Sequence, residues 1–248
     1  MTSRDEKKNR RALALAAMEA QERTRRPNFE TVVGLDSWRA VLHELDRMVL
    51  DHLLASEGKV RKFGAVYPAA VSVLDAGTML RSPARKEEIA ELEKRVEIVV
   101  PPSYRAFVET SNGLMLPMEG QFLEVGNVRS YPEIDPLGSG LMEEFAEDFE
   151  DEFKEPGDQE YFCYDNPEQS KVIRPRYAKS ALALNGDNGE FSHVGKAMGY
   201  ALLVREVRFE NGEHEVWQQA FEWQNRFPSF AAYFSEIRRT IVESMAWL

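Results

Sequence analysis

The sequence predicts an α+β fold, with a central, mostly antiparallel sheet flanked by helices and an α-helical N-terminal extension. Three observations carry this. Apolar residues recur at helical spacing up to about residue 112. The middle of the chain then changes to period two, around an Asn-Gly turn. The last twenty residues return to helical spacing. Helices and strands are segregated along the chain rather than alternating, which separates α+β from α/β.

Residues 1–26 read as a basic helical tail. Ala12 to Ala20 favours helix, and Pro27 and Asn28 break it. Residues 27–81 read as a helical extension packed on the main domain, residues 82–248. Asp36 is a good N-cap for a helix whose stripe is Trp38, Val41, Leu42, Leu45, Val49, His52 and Leu53. Gly58 reads as its stop, and Pro68, Gly77 and Pro83 mark loops. Ser82-Pro83 reads as the opening of a helix striped by Ile89, Leu92 and Val96. Pro101 and Pro102 fix the start of a short helix whose buried face is Tyr104, Phe107 and Val108, and Asn112-Gly113 stops it.

Strands are expected in Phe122 to Val128, Tyr161 to Tyr164 and Ala181 to Leu184. Tyr200 to Trp223 reads as a hairpin turning on Asn211-Gly212. A two-residue type I′ loop there pairs Arg208 with Glu215 and Val207 with Val216. A helix from about Ser229 closes the chain, with Phe230, Phe234, Ile237, Ile241 and Met245 along its apolar stripe.

The 248 residues are 43% hydrophobic, enough for one large domain or two small ones. The longest apolar run, Ala12 to Met18, is seven residues, far short of the roughly 18–20 that span a bilayer. The charged N-terminus has no signal-peptide core. A cytoplasmic protein without membrane contact is therefore expected. The single cysteine, Cys163, rules out an internal disulfide and a cysteine-rich metal site.

The formal net charge is −11, and it is unevenly placed. Glu143, Glu144, Glu147, Asp148, Glu150, Asp151, Glu152 and Glu155 face only Lys154, a net −7 within residues 143–155. Phe145, Phe149 and Phe153 repeat every four residues through this stretch, so 141–155 reads as an amphipathic helix with an aromatic seam. The first 26 residues carry eight basic and four acidic side chains, a net +4. Such a chain is a poor nucleic-acid binder and is suited to a basic partner. The ordinary role of a charge run is a solvated face, and that of the phenylalanines is core packing.

Chemistry is sparse. His43, His52, His193 and His214 have no metal-ligand spacing, and no nucleophile elbow or phosphate loop is present. Asp187, Asn188, Glu190 and His193 share a glycine-rich loop whose side chains suit cation binding or acid–base work, but it does not match the EF-hand spacing and its ordinary reading is a turn. Pairing Cys163 with Asp165 or Glu168 requires a tertiary coincidence, and a buried inert cysteine is commoner. No catalytic residue, metal or cofactor is expected, and the chain reads as a non-enzyme.

The stretch from Ser82 to Pro117 resembles the SUKH superfamily, which includes the yeast Smi/Knr cell-wall regulators and many bacterial immunity proteins. Ile89 and Glu93 match its first helix; Pro101, Tyr104, Phe107, Asn112 and Gly113 match the following segment. Val100 stands where leucine is usual, and Ile98 where glycine is frequent. Leu184 to Glu190 and Phe227 to Phe234 are similar to later parts of the family, and the helix around Trp38 resembles an extension seen in longer members. These motif residues have packing roles and mark a fold, not an active site.

The resemblance implies a SUKH-like, non-enzymatic immunity protein of a polymorphic toxin system. Such a protein binds and neutralises a cognate bacterial toxin by protein–protein occlusion. It implies a toxin with a basic surface as partner, in many cases one acting on nucleic acid, and no direct nucleic acid or membrane contact. Monomer or weak dimer is expected. The partner-facing residues would be Glu143, Glu144, Glu147, Asp148, Glu150, Asp151 and Glu152, with Phe149 as an aromatic anchor. The alternative reading is an intracellular scaffold or regulator of the Smi/Knr type.

Overall fold

A computed structural model describes residues 37–64, 68–117, 121–140, 142, 157–164, 169–186, 199–219 and 224–245. The architecture is α+β. Helices α1 (Trp38–Ala55), α2 (Glu57–Lys62), α3 (Pro68–Ala76), α4 (Lys86–Val96) and α5 (Pro102–Val108) come first. Strands β1 (Leu114–Met115), β2 (Gln121–Phe122) and β3 (Arg129–Ser130) follow, then short helices α6 (Tyr131–Ile134) and α7 (Asp158–Tyr161). Strands β4 (Leu182–Ala183), β5 (Asn185–Gly186), β6 (Tyr200–Arg208), β7 (His214–Gln219) and β8 (Gln224–Phe227) lead into α8 (Phe230–Met245). Five strands form one sheet in the order β3-β4-β6-β7-β8, and β1-β2-β5 form a second. Every described pair is antiparallel.

Helix α1 buries Trp38, Leu42, Leu45, Val49 and Leu53 of the stripe its spacing predicts, and leaves Val41 and His52 half-buried at its edge. Trp38 stacks on Phe230 at 5.8 Å and meets Phe234 at 5.0 Å and Phe107 at 5.5 Å, edge on. Helices α1, α2 and α3 thus share one apolar core with α5 and α8. Burying each such ring contributes roughly 1.5–3 kcal/mol.

The larger sheet is buried on both faces, which explains the unbroken apolar run Ala201 to Val204. Ala201, Leu203 and Val216 join the helix-covered core. Leu202, Val204 and Trp217 point to the other face, where Tyr131, Tyr161, Ile173 and Ala178 cover them.

Four expectations are corrected. Gly58 does not stop α1. The chain breaks at Ser56, and Gly58 lies inside α2, where its lack of a side chain is tolerated. Helix α4 begins at Lys86 rather than Ser82-Pro83. The preceding segment is held extended by Asn112 N–H donating to Ser82 O (3.1 Å) and Ala84 N–H to Val108 O (2.8 Å). The Glu88 carboxylate caps α4 by accepting the Arg85 N–H at 2.7 Å. Tyr161 to Tyr164 is not a strand: Tyr161 ends α7 and turns inward.

The hairpin turns at Asn211-Gly212, but with a different loop. Phe209 N–H donates to Glu213 O at 2.8 Å, and Gly212, with φ +82°, donates to Phe209 O at 2.9 Å. The loop is therefore three residues long, with glycine in its left-handed position. Arg208 faces His214, and after an irregularity in β6, Leu203 faces Val216. A one-residue slip turns a side chain to the opposite face, and Glu215 consequently points into the protein instead of pairing with Arg208.

Candidate functional site

Residues Glu143, Glu144, Glu147, Asp148, Phe149, Glu150, Asp151 and Glu152 lie outside the described residues, as do Asp187, Asn188, Glu190 and His193. Both flanks of the acidic stretch are described, and both reach the same face of the larger sheet. On the N-terminal side Tyr131 is buried there and Met142 packs beside it. On the C-terminal side Tyr161 is fully buried.

The C-terminal flank is fastened by a buried polar cluster that sequence reasoning missed. Glu215 and Arg226 are both 0% exposed, with Nη1 donating to Oε2 at 2.9 Å. The Tyr161 hydroxyl donates to Glu215 Oε1 at 2.6 Å, as does Trp217 Nε1 at 2.6 Å. The Tyr164 hydroxyl donates to Oε2. Four donors thus surround one carboxylate, the condition under which an ionised group tolerates burial. Burial, and then the Glu215 charge, push both tyrosine hydroxyls far above the ordinary phenol range, so they remain protonated donors. Arg226 Nη2 also holds the Tyr161 carbonyl. The Arg226 guanidinium lies 3.8 Å from the Tyr161 ring centroid, and Arg174, paired with Asp158 at 2.7 Å, lies 4.2 Å from it. No local sequence pattern marks the cluster, because its members come from residues 161 to 226 and meet only in the fold.

The family-motif residues take packing and capping positions. Ile89 is buried. Glu93 accepts the Val100 N–H at 2.9 Å and pairs with Arg105, tying the turn before Pro101 to α5. Pro101 precedes α5, whose Tyr104 and Phe107 enter the aromatic core. Burial alone raises the Tyr104 hydroxyl above the usual phenol range. Asn112 Oδ1 accepts the Val125 N–H at 2.8 Å, which turns 125–127 into a 3-10 turn rather than a continued strand. Gly113 has φ +96°, and a Cβ there would lie 2.6 Å from Phe122 O.

The described histidines do not converge. His43 is exposed on α1; His214 is buried, with Nδ1 3.2 Å from Val204 O, and burial lowers its pKa. Asn185, just before the 187–193 segment, is a strand residue. Its side chain donates to Gly199 O at 3.0 Å and accepts the Ala201 N–H at 2.7 Å, placing it in β5. Cys163 is exposed rather than buried. Among the described residues no group of three or more His, Cys, Asp or Glu side chains is arranged to hold a metal ion, and no helix is long and apolar enough to cross a membrane. An open cleft of about 430 Å³ lies between α1 and the 78–83 segment, lined by Arg39, His43 and Leu80 among others. Its Asp46 carboxylate is already engaged by the Thr78 hydroxyl and the Met79 N–H.

These features define an α+β domain whose motif residues maintain packing. The sequence profile of the SMI1 / KNR4 family (SUKH-1) matches residues 83–236, more than half of the chain. The chain belongs to that family. The match runs from just before α4 into α8, so α1 to α3 precede it while sharing its core. Comparison with curated proteins returns no significant match.

Proposed function

We propose that this protein is a cytoplasmic, non-enzymatic immunity protein that neutralises a cognate toxin by binding it. The observation that carries this reading is the net −7 of residues 143–155, in a chain of a family to which the immunity proteins noted above are similar. Dense carboxylates offer a polyanionic surface to a basic, nucleic-acid-handling cleft. Complementary charge accelerates encounter and selects partners more than it adds affinity. The family motif is consumed by packing, and the described histidines are dispersed, which favours binding over chemistry.

The test is co-expression with the product of the adjacent upstream gene. Rescue from its toxicity, and a one-to-one complex with its inactivated form, are expected. Absence of toxicity, or toxicity unrelieved by this chain, overturns the reading. Recovery of several unrelated host proteins instead of one tight partner identifies the scaffold alternative.

A further inference from the structure

Beside the C-terminal flank of the acidic stretch the protein displays aromatic rings to solvent. Phe162 is 41% exposed, and Tyr164 and Phe209 are half-buried. The Phe162 and Tyr164 rings lie 6.4 Å and 6.0 Å from the Phe209 ring, both edge on. The three come from two elements, the end of α7 and the base of the β6–β7 loop, and each is held from behind. The Tyr164 hydroxyl is fixed by buried Glu215. The Phe209 backbone is fixed by two loop hydrogen bonds, and Phe162 N–H donates to Asp158 O at 2.9 Å.

We infer that Phe162, Tyr164 and Phe209 form the aromatic anchor of the partner-binding surface, taking arginine or lysine side chains of a basic protein. The inference rests on the immunity reading and names the contact residues for it. Exposed aromatics on rigid supports are the residues that dominate binding energy at interfaces, because little conformational freedom is lost on contact. Their ring faces attract guanidinium and ammonium groups, and the adjoining aromatic surface already holds one: Arg174 lies 4.2 Å from the Tyr161 ring centroid and 5.9 Å from that of Phe162. The net −7 of residues 143–155 argues for the same occupant, against the single exposed cation that adjoins Phe209, Arg208. Phe162 follows the last acid of the net −7 stretch, Glu155, by seven residues, and the exposed side chains of Glu160 and Glu210 lie close in sequence to the rings.

The anchor and the acidic stretch then divide the work. Charge draws the partner in and governs association; the rings hold it and govern dissociation.

The experiment measures binding kinetics between this protein and the purified, inactivated product of the adjacent gene. Phe162→Ala and Phe209→Ala are compared with Phe162→Trp and with Val99→Ala, an exposed control on the turn between α4 and α5. Circular dichroism and thermal unfolding establish that each variant is folded. The expected result is a dissociation rate raised roughly tenfold or more by Phe162→Ala, with association nearly unchanged. Phe162→Trp and Val99→Ala should behave like wild type. If wild type binds and folded Phe162→Ala and Phe209→Ala dissociate at the wild-type rate, the anchor is elsewhere and the immunity reading stands. If these variants instead abolish a homodimer while leaving toxin kinetics unchanged, the rings belong to a self-contact and the inference falls. If wild type does not bind the gene product, the immunity reading fails and takes the anchor with it.

Discussion

Arg226 and Glu215 form a fully buried ion pair across the β7–β8 ladder, 2.9 Å from Nη1 to Oε2. Arg226 sits directly opposite Trp217, which places Glu215 diagonally from it on the same sheet face. The pair carries the hydroxyls of Tyr161 and Tyr164 and thereby docks segment 157–164.

Removing one member of this pair leaves an uncompensated buried charge. Arg226→Met should destabilise the protein by about 3–5 kcal/mol, and Glu215→Leu by a similar amount, read by urea unfolding. The double replacement should cost less than the sum of the two. Tyr164→Phe, which removes one donor and no volume, should cost about 1–3 kcal/mol. Additive losses in the double variant would show that the two side chains do not stabilise each other.

Two adjacent residues of the β6–β7 hairpin give opposite pH responses. Burial holds His214 below its ordinary pKa of 6.5. The unfolded chain binds this proton first, so the contribution of His214 is present above pH 6.5 and lost as pH falls through the lowered value. Glu213, which accepts the Ser103 N–H at 2.8 Å and the Ser103 hydroxyl at 2.7 Å, is raised above 4.5 by burial, which outweighs those hydrogen bonds. Here the folded state binds the proton first. Its contribution is full below pH 4.5 and declines as pH rises through the raised value. His214→Gln should flatten the acid-side loss of stability just below pH 6.5, and Glu213→Gln should remove the opposing slope above pH 4.5. Stability measured by urea unfolding from pH 4 to 8 checks both. Unchanged slopes in both variants would remove these residues from the pH response.

Glycines at two positions should respond in opposite directions. Gly113→Ala forces a Cβ to 2.6 Å from Phe122 O at φ +96°, and should destabilise by more than about 1 kcal/mol. Gly58→Ala meets nothing within 4 Å inside α2, and should stabilise by about 0.5–1 kcal/mol. Thermal unfolding of the two variants reads the difference.

The periodic helices were legible because burial of one face writes itself at spacing 3.6: α1, α5 and α8 follow Trp38, Phe107 and Phe230 into one core. The chain ends of elements were less so. Ser82-Pro83 carries a helix-start pattern, but tertiary hydrogen bonds to Val108 and Asn112 hold that segment extended. The hairpin register escaped because Asn-Gly serves both two-residue and three-residue loops, and the choice between them decided whether Glu215 met solvent or Arg226. The buried cluster joins residues from 161 to 226, a convergence that local pattern does not encode. Helical spacing points to Phe149, which lies outside the described residues, whereas Phe162 and Phe209 come together only through α7 and the hairpin loop, a contact that spacing does not encode.

The acidic stretch gives the last prediction. Replacing Glu147, Asp148, Asp151 and Glu152 with Gln or Asn removes four of the eight acids in residues 143–155. If these carboxylates meet a basic cleft, long-range attraction is the term that falls. Association with the inactivated toxin at low salt should slow by roughly tenfold or more, and the decline of that rate with added salt should become shallower. Dissociation should change less, because short-range contacts govern it. Equal association rates for wild type and variant at low ionic strength would sink polyanion mimicry. Immunity by another surface would still stand, since the aromatic-anchor variants report on dissociation and these report on encounter.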